Sequence, residues 1–278
     1  MNRFCSSRRL AAVLLVLAGA WAPAAWSGQD YPNAHLLASV AWLRTRTGDP
    51  DIRIVDLRGS AKYDAGHIPG AVRLDLNRIR ETVGGVPKMA ASAERLARVF
   101  GGLGIDARTT VVAYDDVGGL HAARLFWTLE YAGHRRARIL NGGYPAWRAS
   151  GAPVSRSPHA YPPRRFQVRL DPSRIISAEE IRSRLGRGDV ALVDARSAAE
   201  FSGRRRRASR GGHIPGAVHV EWVKNLQGLP GGWLPPEELA RLYASRGVTR
   251  DKEVIPYCQT STAPPIPTSP SGSWDTKR

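Results

Sequence analysis

The residues whose types and order could do chemistry lie at positions 254–263, V-I-P-Y-C-Q-T-S-T-A. An apolar, strand-forming run stops at Cys258. It gives way to the small polar residues Gln259, Thr260, Ser261 and Thr262, followed by Ala263. A strand that ends on a cysteine, with a tight loop behind it, presents a thiol at the C-terminal edge of a sheet. Backbone N–H groups of such a loop can converge on the sulfur and favour the thiolate, which is the nucleophilic form. The same stretch is compatible with a packed structural cysteine, because unpaired cysteines are among the most buried residues.

The elements that must hold this cysteine occur twice. Residues 52–57 (I-R-I-V-D-L), followed by Arg58, are echoed by residues 190–195 (V-A-L-V-D-A), followed by Arg196. G-H-I-P-G-A stands at 66–71 and again at 212–217, and the strand-like run 110–114 is echoed at 253–257. Separations of 138 (Asp56 to Asp194), 146 (His67 to His213) and 143 residues (Val111 to Val254) agree closely enough to mean two copies of one domain. Between the strands the spacing predicts helices over 29–50, around Leu96 to Phe100 with Ser92 as N-cap, and over 120–132 with Gly133 as the stop. Residues 63–71 read as a loop rich in Gly and Pro, and a short strand at 137–140 is followed by the N-G-G-Y-P-A-W run at 141–147. Strands alternating with helices predict an α/β fold of two tandem domains, each a mainly parallel sheet flanked by helices. The first domain is expected at 30–152, a Pro- and Arg-rich linker at 153–172, and the second domain at 173–262.

The two copies differ where it matters. Cys258 aligns with Asp115, 143 residues earlier. A carboxylate is a poor occupant of a packed core without partners. The position is therefore expected to be a loop residue at a sheet edge in both copies, with a nucleophile in one only. Beyond Ala263, residues 263–278 form a tail rich in Pro and Ser. Pro264, Pro265, Pro267 and Pro270 exclude a regular helix there. The second domain is thus expected to be incomplete, as from a truncated or frame-shifted end.

Compartment and partners follow from composition. Arg3, Arg8 and Arg9, then an apolar run at 10–21, then Ala24, Ala25 and Ser27 read as a signal peptide over 1–28. The mature chain is expected to be periplasmic or secreted, without stable membrane insertion. Cys5 would leave with the signal, so Cys258 would have no disulfide partner. Lys and Arg number 41 against 24 acidic residues, a formal charge of +17. Apart from positions 204–207 the arginines are scattered, with no basic helix, zinc spacing or aromatic–basic interleaving, which argues against nucleic acid and for small anions as partners.

On D-A-R at 194–196, the doubled G-H-I-P-G-A, N-G-G-Y-P-A-W and V-I-P-Y-C-Q-T, the chain resembles the two-domain rhodaneses, the thiosulfate and 3-mercaptopyruvate sulfurtransferases. The resemblance implies that Cys258 opens a six-residue active loop ending at Ala263. It also implies double displacement through a cysteine persulfide, with a small anionic sulfur donor, a thiol or cyanide acceptor, and no metal or organic cofactor. Arg196 is the candidate for holding the donor, and positions 204–207 read as a solvated loop. Asp56 and Asp194 are expected to brace loops. His67 and His213 occur in both copies, including the one without a cysteine, and so read as loop-fixing residues rather than bases. The chain departs from the family pattern at Ser261, Ala263 and Glu200, the last an acid where thiosulfate enzymes carry an arginine. The alternative reading is a catalytically impaired or inactive rhodanese-like binding module. A cysteine phosphatase of related fold would need an arginine six residues after the cysteine, where this chain has Pro264.

Overall fold

Short runs of β-branched and apolar residues make the strands, and their burial orders everything around them. The computed structural model describes residues 33–259. The first half runs β1 (Leu37–Ala38), α1 (Val40–Arg44), β2 (Ile52–Asp56), α2 (Ser60–Ala65), β3 (Val72–Arg73), the hairpin β4 (Arg80–Val83) and β5 (Val86–Ala90), α3 (Ala93–Gly102), β6 (Thr110–Tyr114), α4 (Leu120–Tyr131), β7 (Ala137–Leu140) and α5 (Gly143–Ala149). The second half runs α6 (Ala178–Arg184), β8 (Val190–Asp194), α7 (Ala198–Phe201), β9 (Val218–His219), α8 (Pro236–Ala244) and β10 (Glu253–Tyr257).

The first sheet has the order β1-β7-β6-β2-β3 and the second β10-β8-β9, all parallel. Every residue of β2 is buried, as expected of a parallel strand covered on both faces. One face of the first sheet packs Leu96, Val99 and Phe100 of α3 with Leu125, Phe126 and Leu129 of α4. Among the described residues β10 pairs with β8 alone, whereas its counterpart β6 lies between β2 and β7. The two halves share a register: Asp56 pairs Tyr114, and Asp194 pairs Tyr257. Asp115 and Cys258 therefore leave their sheets at equivalent points.

Several local expectations change. The helix expected over 29–50 shrinks to α1, because Ser39 caps it by accepting the Trp42 N–H and the residues before it pair with β7 as β1. The loop expected from Tyr63 begins inside α2, and the run at 141–147 turns into α5. Ser92 does cap α3, accepting the Arg95 N–H. The segment read as a linker lies extended along the first domain. Ser155 forms a bridge with His67, Arg164 N–H donates to Gly101, and Arg169 N–H donates to Ala132. Phe166 enters the first core edge-on to Phe100, and the Tyr161 ring lies 3.7 Å from the buried Arg53 guanidinium. Proline and arginine composition hid these aromatic anchors.

Candidate active site

The repeated residues build one bracket twice. In the first half the Arg58 guanidinium donates to both Asp56 oxygens (Nη2–Oδ2 2.6 Å) and to the Gly66 carbonyl, while Tyr114 Oη donates to Asp56. In the second, Arg196 donates to both Asp194 oxygens (Nη2–Oδ2 2.5 Å) and to the Gly212 carbonyl at 2.8 Å. The Ile214 N–H donates to Tyr257 Oη, as that of Ile68 does to Tyr114. Burial would raise the Asp194 carboxyl, but the Arg196 bonds overcome it and hold the acid below its ordinary range. Burial likewise pushes the Tyr257 hydroxyl up to about 12.

This geometry gives Arg196 a different task from the expected one. Its guanidinium ties the strand end to the G-H-I-P-G loop, as Arg58 does in the half without a cysteine. It is also absent from the walls of the cleft that opens at Cys258. Glu200 does not face an anion site either. It forms a capping box with Ser197 at the start of α7 and sits 3.3 Å from Arg207. His213 Nδ1 donates to the Phe201 carbonyl at 2.8 Å and its ring stacks on Phe201. His67 is held in the same manner by the Tyr63 carbonyl and ring.

Asp115 lies directly after β6, the sheet-edge loop position expected of it. It is fully buried, and its carboxylate accepts four backbone N–H groups: Val117 and Gly119 on Oδ1, His121 and Ala122 on Oδ2, at 2.7–3.0 Å. The Val117–Gly119 loop and the first turn of α4 form a nest for one negative charge, strengthened by the helix dipole. Gly143 lets the chain close on it, since a Cβ there would lie 2.4 Å from the Asp115 carbonyl oxygen.

Cys258 follows β10 directly and is half-buried, with Gln259 exposed beside it. Thr260, Ser261, Thr262 and Ala263 lie outside the described residues, as does the signal read at 1–28. A cleft of about 460 Å³ opens at Cys258 between the halves. Lys88, Arg124 and Trp127 line it from the first half, and Ile181 and Ile255 from the second. Burial lowers the Arg124 guanidinium to about 10; the neighbouring Arg80 pushes the same way, and Cys258 opposes both. Burial also lowers Arg80, again against Cys258. Both arginines stay charged at neutral pH, so the cysteine sits in a cationic, partly apolar cleft. Reasoning along the sequence missed these residues because they come from the other half, 178 and 134 positions before Cys258. Among the described residues no cluster of His, Cys, Asp or Glu could hold a metal ion.

The duplicated α/β domain carries a nested carboxylate at one strand end and a cysteine at the equivalent strand end of the other copy. A model of the rhodanese-like domain matches residues 39–150 and 177–266. The chain is 36% identical over 231 residues to a thiosulfate sulfurtransferase of Azotobacter vinelandii, covering 83% of this chain and 85% of that one. It is 33% identical over 271 residues to a probable 3-mercaptopyruvate sulfurtransferase of Pseudomonas aeruginosa, covering 87% and 94%. Its fold superposes on SseA of Escherichia coli, described as a 3-mercaptopyruvate sulfotransferase of the rhodanese fold, with a TM-score of 0.74 at 27% identity over 82% and 90% of the two chains. The chain belongs to the rhodanese family of sulfurtransferases.

Proposed function

We propose that this protein moves a sulfur atom from thiosulfate or 3-mercaptopyruvate to a thiophilic acceptor through a persulfide on Cys258. The Cys258 thiolate attacks the outer sulfur of thiosulfate. The S–S bond to sulfite breaks, and sulfite leaves with the electron pair. With 3-mercaptopyruvate the thiolate attacks the thiol sulfur, and the C–S bond breaks instead. The electron pair leaves on the enolate of pyruvate, which then takes up a proton. Cyanide or a thiolate then attacks the outer sulfur of the persulfide and restores the Cys258 thiolate, with no net oxidation of the enzyme. Two displacements at one activated cysteine replace one difficult transfer. The observation that carries this reading is the equivalence of Cys258 and Asp115: the twin position already holds a full negative charge. The Arg80 and Arg124 charges beside Cys258 suit an anionic donor.

Thiocyanate formation from cyanide, with each donor in turn, tests the reading. Turnover is expected with at least one donor and is expected to vanish in Cys258→Ser. A folded wild-type protein silent with both donors contradicts it and favours a rhodanese-like binding module. We also propose export on the basic and apolar residues at 1–28. Cell fractionation should then find a chain beginning near residue 28 or 29 outside the cytoplasm, and an intact Met1 inside it would refute export.

A further inference from the structure

The two halves face each other through equivalent positions. In the first half a 3-10 turn, Leu76–Ile79, is followed by Arg80; in the second, the turn Trp222–Asn225 is followed by Leu226. Arg80 and Leu226 are 146 residues apart, the same separation as His67 and His213. Each opens a hairpin: Arg80 pairs with Ala90, and Leu226 bridges to Trp233. The Leu226 position packs on the loop after β6, for a Cβ at Gly118 would lie 2.5 Å from Leu226 Cδ1 and 3.5 Å from the Trp222 ring. The loop holding Asp115 is thus faced by leucine. By the same pseudo-twofold relation, Cys258 is faced by Arg80, whose hairpin partner Ala90 lines the Cys258 cleft.

The Arg80 side chain is prepared for an anion. Its Nε and Nη2 are buried and make no hydrogen bond among the described residues. A buried guanidinium edge lacking hydrogen bonds is costly unless a negative partner arrives. Arg124 adds a second positive charge nearby, so the two repel until an anion lies between them. Arg124 also fixes the hairpin: its Nη2 donates at 3.1 Å to the carbonyl of Lys88, a residue held at φ 63°. That left-handed backbone is unusual for lysine and persists only where its surroundings enforce it. The first half contrasts in both respects, pairing an anion satisfied by four backbone N–H groups with an apolar lid.

We propose that Arg80, donated by the first domain across the interface, holds the anionic sulfur group at Cys258: the charged end of the donor first, the persulfide afterwards. This rests on Cys258 being the nucleophile. The first domain, which lacks a cysteine at the equivalent position, then supplies a cation to the site of its partner domain.

The test compares alkylation of Cys258 by anionic iodoacetate and neutral iodoacetamide in the full chain, a measurement that needs no sulfur transfer. Arg80→Ala should lower the iodoacetate-to-iodoacetamide rate ratio by about tenfold or more, since at an effective dielectric near 20 even a charge about 12 Å away is worth about tenfold and a closer one more. Arg80→Lys should restore most of it. Arg187→Ala removes an equal charge at an exposed site paired with Asp189 and should leave the ratio unchanged. If Arg80→Ala does not fold, Arg80→Gln takes its place. In turnover the loss should appear mainly as a higher KM for thiosulfate. An unchanged ratio in a folded Arg80 variant, or an equal fall in Arg187→Ala, overturns the proposal. Loss of turnover in the wild type would instead count against the sulfur-transfer reading and leave the ratio readable.

Discussion

Asp115 Oδ1 accepts the backbone N–H of Gly119 at 2.8 Å, closing a loop that its counterpart, 143 residues later, begins with a cysteine. The same position is a buried carboxylate in one domain and a thiol in the other.

Removing the Asp115 carboxylate should cost stability without touching the reaction. Asp115→Ala leaves four converging N–H groups without their acceptor, at a cost of about 3 kcal/mol. Urea unfolding monitored by tryptophan fluorescence is expected to show that loss, while the iodoacetamide rate at Cys258 in the folded protein stays within twofold of wild type. A variant as stable as wild type would show that the nest is satisfied another way.

The Asp194–Arg196 bracket carries a pH dependence of definite sign. Asp194 is held below its ordinary value, so its stabilisation is present above about pH 4, the unfolded value, and is lost as pH falls through the lower folded value. Arg196→Ala leaves a buried carboxylate without its cation and should cost about 3 kcal/mol near neutral pH. Because that penalty is relieved on protonation, the gap between wild type and Arg196→Ala should narrow between about pH 6 and pH 3. Urea midpoints at both ends of that range check it. A gap independent of pH would contradict the assignment.

The strap along the first domain should behave as part of that domain. Phe166→Ala removes a buried ring and should cost about 3 kcal/mol. Limited proteolysis is the second readout. The wild-type segment 153–172 should resist cleavage as long as the first domain does, and the variant should be cut there early. Rapid cleavage in the wild type would restore the linker reading.

Much of the architecture was legible because the repeat is written in rigid chemistry. The paired D-x-R and G-H-I-P-G-A motifs recur because each Asp–Arg bracket must reach its own glycine carbonyl, which the second copy does across a longer insert (Arg58 to Gly66 in the first copy, Arg196 to Gly212 in the second). Contacts across the interface were not legible. Arg196 looked like an anion holder because it lies near the second-domain strand ends, yet a spacing of two residues after Asp194 makes it a bidentate brace. Arg80 carried no local signal, since its meaning comes from the fold of the other half onto it. Asp115 was legible as a loop residue at a sheet edge, but sequence does not show the four backbone N–H groups that converge on it. Tyr161 and Phe166 were available as signals of a packed segment, but the surrounding prolines and arginines outweighed them.

The central claim is that Cys258 carries the transferred sulfur. It is tested most directly by the mass of the Cys258 peptide after the purified protein meets thiosulfate or 3-mercaptopyruvate without an acceptor. The account predicts a peptide heavier by one sulfur atom with at least one donor, reverting when cyanide is added and absent in Cys258→Ser. An unmodified Cys258 peptide after exposure of folded protein to both donors would contradict it.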